Sequence, residues 1–190
     1  MYYDFTKTTP DIKSIIHLIA QHGNDLIGLE LGIFRGESFC CLLDNCLNIK
    51  TLYGIDSWKP YSDYLGSNNP SKALYSIDEK TNEINEFITR HNIKWSRNGS
   101  KANIIKQDSN ECVTQFKDES LDFIFFDTYM TYEQAVKDFE LWIPKVKKGG
   151  LITGHDWDTK EVQKAVIEYR TNYNITNIMS TFDSTWVWKK

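Results

Sequence analysis

Six ionisable side chains stand where apolar runs end. They are Glu30 in LIGLE, Asp56 closing TLYGID, Asp108 after NIIKQ, Asp127 closing LDFIFFD, and His155 with Asp156 after LITG. Carboxylates accept hydrogen bonds from ribose hydroxyls and from exocyclic amines. Gathered around one point with water, they also suit a divalent cation. After Glu30 the chain runs LGIFRGES, so Gly32 and Gly36 bracket a turn and Ser38 follows it. Such a turn lets a small ligand lie against bare backbone at a helix N-terminus. Each residue also has a plainer reading. The glycines fit an ordinary strand-to-helix turn, Asp56 the start of a turn, and Asp108 a helix cap. Asp127 fits a surface carboxylate, and His155 a side chain bonded to backbone.

The choice turns on whether the six share an edge, and so on the elements that carry them. Strand and helix patterns alternate along the chain, which argues a mostly parallel α/β sheet. The apolar runs predict strands at 26–31, 51–56, 102–107, 121–127 and 151–154, the fourth apolar enough to be buried on both faces. An N-terminal helix within 1–24 opens at Thr9 and Pro10 and carries the stripe Ile12, Ile15, Ile16, Ile19. A second runs from Gly36 to about Leu47. Residues 76–79, SIDE, form a capping box that opens a third, with Ile77, Ile84, Phe87 and Ile88 on one face. Asp108 caps a short helix ending near Phe116, and Thr131 caps one ending near Pro144. Lys148, Gly149 and Gly150 make a turn before the fifth strand. Residues 158–161, DTKE, cap a last helix with Val162, Ala165, Val166 and Tyr169 aligned. Two final strands, at 175–179 and 185–188, are joined by so short a connection that they must be antiparallel.

This predicts one domain over 1–190: a three-layer, Rossmann-like α/β sheet of seven strands, mostly parallel, with an antiparallel terminal strand. Ligands of such open sheets bind at the carboxyl ends of the strands, near the switch in strand order. All six side chains fall there. An acid ahead of the glycines suits a positively charged ligand better than a pyrophosphate. The nucleotide that fits is S-adenosylmethionine, with its ammonium and sulfonium groups. Residues 57–75, rich in Tyr, Ser, Asn and Pro, read as an ordered loop or lid. Its Trp58, Tyr61, Tyr64 and Tyr75 either stack on a sugar ring or flat acceptor, or pack the loop onto the body.

With 41% hydrophobic and 25% charged residues, the 190-residue chain is globular and long enough for a proper core. A net charge of −4 without a basic stripe argues against a nucleic-acid partner. No apolar run approaches the ~20 residues of a membrane span. The N-terminus lacks signal-peptide architecture, so a cytoplasmic protein is expected. Cys40, Cys41, Cys46 and Cys112 form no CxxC pair and read as reduced, mostly buried thiols.

Taken in order, the ExGxxxGxS turn, YGIDSW, KQDS and DFIFFDTYMTYEQAVKDFELWIPKVKKGGLITGHDW resemble the class I S-adenosylmethionine-dependent methyltransferases. Within them the chain is similar to the small-molecule O-methyltransferases that include the metal-dependent macrolide-sugar enzymes. The resemblance runs from about residue 26 to 189. It implies the methyltransferase version of the sheet, with Glu30, Gly32, Gly36 and Ser38 around the methionine part of the cofactor. It implies Asp56 on the ribose hydroxyls with Ser57 and Trp58 nearby, and Asp108 on the adenine amine with Ser109 beside it. Asp127 would lie near the transferring methyl group. In the metal-dependent relatives, an acid at Asp127 and a pair at His155 and Asp156 hold a divalent ion, commonly magnesium. Such an ion on two vicinal hydroxyls lowers their pKa and fixes their orientation. Imidazole prefers transition metals, so His155 reads as a base, an outer hydrogen-bonding group, or a ligand for manganese, iron or zinc.

One departure stands out. Similar family members often read DxxHxYE after the fourth strand, and here Met130 takes the place of that histidine. The base is then His155, or metal activation suffices, or the chain binds cofactor without this chemistry. Phe34 likewise replaces the middle glycine of the commonest methyltransferase loop. The expected function is methyl transfer from S-adenosylmethionine to a hydroxyl of a small molecule or sugar, with Asp127 and His155 catalytic and Mg²⁺ or another divalent metal assisting. The alternatives are a noncatalytic relative that binds the cofactor or a partner, and a nicotinamide-dependent oxidoreductase, against which the absence of GxGxxG argues. The sequence leaves a homo-oligomer open, since Trp186 and Trp188 suit either a core or a dimer edge.

Overall fold

The computed structural model describes residues 4–6, 10–60, 78–128, 131–182 and 184–190. The apolar runs form β1 (Leu26–Leu31), β2 (Ile49–Asp56), β3 (Ala102–Lys106), β4 (Leu121–Phe126) and β5 (Val146–Gly154), followed by β6 (Met179–Phe182) and β7 (Thr185–Lys189). They make one seven-stranded sheet in the order β3-β2-β1-β4-β5-β7-β6. The first five strands pair in parallel, and β7 is antiparallel to both β5 and β6. The chain starts at β1, builds outward to β3, then returns to the other side of β1 with β4. The crevice between β1 and β4 is therefore the switch point.

The helices are α1 (Lys13–Ala20), α2 (Glu37–Asn45), α3 (Glu79–Trp95), α4 (Ser109–Cys112), α5 (Tyr132–Trp142) and α6 (Lys160–Asn172). Alternation along β4 explains the three layers. Phe123 and Phe125 enter a core shared with α1 and α2, through Ile15, Ile19, Phe39 and Leu42. Ile124 and Phe126 enter the opposite core with Phe139 and Trp142 of α5 and Val162 and Val166 of α6. Trp186 and Trp188 lie in that second core, at 0% and 2% exposure, which resolves their open reading. All four cysteines are buried and none is in a disulfide.

Three local expectations are corrected. The turn at 148–150 is a bulge inside β5: Gly149 has φ +79° and the register against β4 shifts between Leu121 and Phe123. The Gly149 N–H donates to the Lys190 carbonyl and the Lys190 N–H to that of Gly150, so the segment continues the sheet. β6 starts at Met179 rather than near 175, since its antiparallel pairing with β7 begins with Met179 opposite Trp188. Finally, Ile84 and Phe87 of α3 are 49% and 69% exposed, and Asn82, Asn85 and Thr89 face inward instead. That inversion has its cause at the site.

Candidate active site

The four central strands β2, β1, β4 and β5 stay in step up to their carboxyl ends. The Gly32 N–H donates to Ile55 O at 2.8 Å, the Asp127 N–H to Leu31 O at 2.9 Å, and the His155 N–H to Phe126 O at 2.9 Å. Glu30, Asp56, Asp127 and His155 thus share one edge. Asp108 joins it at the start of α4, where its carboxylate accepts from the Asn110 N–H at 2.9 Å. Its capping role is real and leaves its second oxygen outside that bond.

Between β1 and α2 the glycines do what their positions require. Gly32 has φ +78°, and a Cβ there would sit 2.3 Å from the Asp127 carbonyl oxygen. Only a bare backbone lets the β1 turn touch the end of β4. Gly36 caps α2 in the left-handed region, φ +75°. Phe34, in the place of the usual middle glycine, adopts φ +43°. That conformation costs a bulky residue energy and must be held from outside.

The hold comes from Asp56, Trp58 and α3. One oxygen of Asp56 accepts from the N–H groups of Ile33 at 3.1 Å and Phe34 at 2.9 Å, and the other from the Trp58 N–H at 2.8 Å. The buried Trp58 indole donates to Phe34 O at 2.8 Å, and the Thr89 hydroxyl donates to the same carbonyl at 2.6 Å. Asn85 accepts from the Arg35 Nε at 2.9 Å, while Asn92 donates to Arg35 O at 2.9 Å. The inner face of α3 is polar because its partner is the polar backbone of a loop. Behind the loop, Glu30 is fully buried and accepts a hydrogen bond from the Ser38 hydroxyl, and its other oxygen has no partner among the described residues. Burial, then the charges of Asp127 and Asp56, hold its carboxyl well above the ordinary range. Burial also raises Asp56, against the pull of its three amides.

Across the crevice the side chains are open. Asp127, His155 and Asp156 keep 28%, 23% and 42% of their side-chain surface exposed. His155 Nδ1 lies 3.0 Å from Asp156 Oδ1 and 3.7 Å from Asp127 Oδ1. One ligand atom from each residue falls within 4.8 Å of the others, the spacing of a mononuclear metal site. Asp156 reaches this position through φ +58°. The hydrogen bond to Asp156 and the nearby Asp127 charge outweigh burial and hold the His155 imidazole up at about 9. Burial at the strand end pushes Asp127 up to about 7, with His155 opposing and Asp156 adding to the shift. Two acids, with an imidazole that becomes a ligand on losing its proton, suit a cation chemically, and the buried, uncompensated Glu30 beside a bare-backbone turn suits a ligand of positive charge.

The family model for a methyltransferase domain matches residues 29–157, a span that holds the glycine turn and all six side chains. The chain belongs to the class I S-adenosylmethionine-dependent methyltransferases. Solved structures share this methyltransferase fold at low identity. A Staphylococcus aureus protein assigned as a caffeoyl-CoA O-methyltransferase is 16% identical, TM-score 0.66, over 95% of this chain and 82% of its own. The O-methyltransferase NovP is 17% identical, TM-score 0.66, over 93% and 79%. An rRNA methylase of Streptococcus thermophilus is 12% identical, TM-score 0.61, over 95% of each chain. An uncharacterized protein of Acanthamoeba polyphaga mimivirus is 27% identical over 138 residues, 70% of this chain, which spans about half of that relative's length.

The methyltransferase edge thus gathers Glu30, Gly32, Gly36, Ser38, Asp56 and Trp58 on one side of the crevice, and Asp127, His155 and Asp156 on the other. Asp108 and Ser109 lie at its β3 end, and Ser57 follows Asp56, accepting from the Lys59 N–H at 3.3 Å. Met130 and the lid residues Tyr61, Tyr64 and Tyr75 lie outside the described residues. Sequence reasoning missed Asn85, Thr89 and Asn92, although polar residues at helical spacing inside a helix between two sheet strands carried the signal. It also missed Asp138, a fully buried acid on α5.

Proposed function

We propose that this methyltransferase moves a methyl group from S-adenosylmethionine to a hydroxyl of a small molecule or sugar, with a divalent cation assisting. The observation that carries this reading is the Asp127, His155 and Asp156 cluster, partly exposed just past the carboxyl ends of β4 and β5. S-adenosylmethionine supplies the methyl group on a sulfonium. The Glu30, Gly32, Gly36 and Ser38 turn would receive its methionine part. Asp56, with three of its four lone pairs already taken by loop amides, has one acceptor position left for a ribose hydroxyl. Asp108 and Ser109 would meet the adenine.

Asp127 and Asp156 would hold a divalent ion, which supplies charge that orients vicinal hydroxyls and lowers their pKa. His155 then has a defined task. The two carboxylates keep its proton on at neutral pH, and neutralising their field returns the imidazole to the range of a working base. From there it would accept the proton of the acceptor hydroxyl as that oxygen bonds to the methyl carbon and S-adenosylhomocysteine leaves with the electrons of the carbon–sulfur bond. This assigns to His155 the role that Met130 cannot fill. The net charge of −4 favours a small neutral or polyol acceptor over a nucleic acid. No described helix is long and apolar enough to cross a membrane.

Calorimetry with S-adenosylhomocysteine in the presence of magnesium, manganese or chelator, followed by turnover on polyol and sugar acceptors, tests the reading. Micromolar binding with metal-dependent turnover supports it. Binding without turnover on any acceptor favours the cofactor-binding relative that Met130 suggests, and no binding overturns both.

A further inference from the structure

Asp138 sits on the inner face of α5 with no exposed surface, and no Lys, Arg or His among the described residues pairs with it. A carboxylate so placed costs folding energy unless hydroxyls and amides surround it. Its neighbours are specific. Oδ1 accepts from the Ser109 hydroxyl at 3.0 Å, and Oδ2 from the Thr128 hydroxyl at a long 3.5 Å. The Gln134 side chain, one turn earlier, donates as well. Ser109 is the first residue of α4, after β3, on the adenine side of the proposed site. Thr128 directly follows Asp127, on the side of the proposed metal and methyl acceptor. A leucine or phenylalanine in α5 would bury no charge, so what the acid adds there is its hydrogen bonds to the Ser109 and Thr128 hydroxyls.

We propose that Asp138 is a positioning residue, a buried brace that links the loop at Ser109 to the loop at Asp127 and so couples the two halves of the cofactor crevice. The proposal deepens the methyl-transfer reading and rests on it for the identity of the ligands. Its geometry is independent of them. Ligand ordering of the Ser109 loop reaches Thr128 through one rigid carboxylate, and ordering at Asp127 reaches back. Linkage makes the effect mutual: a ligand at one end tightens binding at the other by the same factor.

The test uses the full chain in four forms: wild type, Asp138→Asn, Asp138→Leu and Ser109→Ala. Amide exchange at residues 108–112 and 127–128 is followed by nuclear magnetic resonance without ligand, and Kd values for S-adenosylhomocysteine and Mn²⁺ are measured separately and together. Ser109→Ala is expected to speed exchange at Asp127 and Thr128, residues it does not touch. Asp138→Leu is expected to weaken both ligands about tenfold and to abolish their mutual enhancement. Asp138→Asn keeps one acceptor and gains an amide that the second hydroxyl accepts from, so it should restore both affinities to within about twofold. Unchanged exchange at Asp127 and Thr128 in Ser109→Ala overturns the brace, as does a failure of Asp138→Asn to rescue. If Asp138→Leu does not fold, Ser109→Ala and Asp138→Asn still decide. If wild type binds no S-adenosylhomocysteine, the methyl-transfer reading fails, while the ligand-free exchange rates still test the brace.

Discussion

The two walls of the crevice use the same side chain for opposite purposes. On the β1 and β2 side, Glu30 and Asp56 are turned inward; Asp56 gives both oxygens to backbone amides and Glu30 answers a serine hydroxyl. On the β4 and β5 side, Asp127 and Asp156 face outward with His155 between them and valences to spare. The first wall is a cradle whose acids shape a backbone. The second is a place where acids can meet something from solution. Acids at strand ends are therefore not equivalent, and what separates them is how many local amides are within reach. Asp56 lies beside the strained turn that follows β1 and takes its amides, whereas Asp127 and Asp156 have none of those amides for partners.

The contrast can be broken in several places. The largest effect is expected where the walls touch. In Gly32→Val a Cβ would meet the Asp127 carbonyl at 2.3 Å in a backbone conformation at φ +78°. Loss of more than about 4 kcal/mol of stability, or a folded protein without S-adenosylhomocysteine binding, should appear in thermal melts and calorimetry. Next comes the open wall. Asp127→Asn should lower turnover by about 10²–10⁴-fold while leaving the melting temperature equal or higher, since a strained acid becomes neutral. The cradle should behave in reverse. Asp56→Ala leaves the amides of Ile33, Phe34 and Trp58 without their acceptor, and urea unfolding should register a loss of roughly 2–4 kcal/mol. If Asp127→Asn proves as destabilising as Asp56→Ala, the division of labour is wrong.

The most gradual effect is a pH dependence of the ligand-free protein. Burial pushes Asp138 up to about 6, above its value in the unfolded chain. The folded state then holds a proton that the unfolded state has lost, so stability falls as pH rises from about 4 through about 6. For Asp138 alone the change is on the order of 3 kcal/mol. Glu30 and Asp56, also raised by burial, add to it in the same direction. Urea unfolding across this range should show the decline in wild type and a shallower one in Asp138→Asn. A stability that climbs through the same interval would contradict the buried state of these acids.

Much of this was legible in the residues and some was not, for identifiable reasons. β1 and β4 were readable because a strand covered on both faces must be largely apolar, and LIGLEL and LDFIFF are so apart from Glu30 and Asp122. The glycine turn and the edge acids were readable because their chemistry needs those residue types. The inner face of α3 was not, because hydrophobic periodicity assumes that a helix packs on side chains. Asn85, Thr89 and Asn92 pack on the carbonyls and the arginine of a loop, and the apolar Ile84 and Phe87 are left facing out. The different fates of Asp56 and Asp127 were also hidden, since both read simply as an acid after a strand.

The contact of Gly32 with the end of β4 has a consequence for how the molecule assembles. The two wall segments lie roughly half the chain apart in sequence, yet the crevice exists only where they meet. Joining β1 to β4 closes one of the longest loops in the sheet, an entropically slow event. No amino-terminal fragment, however well it forms β1 to β3, owns a pocket. On the methyl-transfer reading proposed above, ligand affinity is therefore a property of both halves together, and a fragment ending before β4 is expected to bind no cofactor. Occupancy in turn protects the whole sheet from opening, since whatever binds the crevice binds only the finished fold.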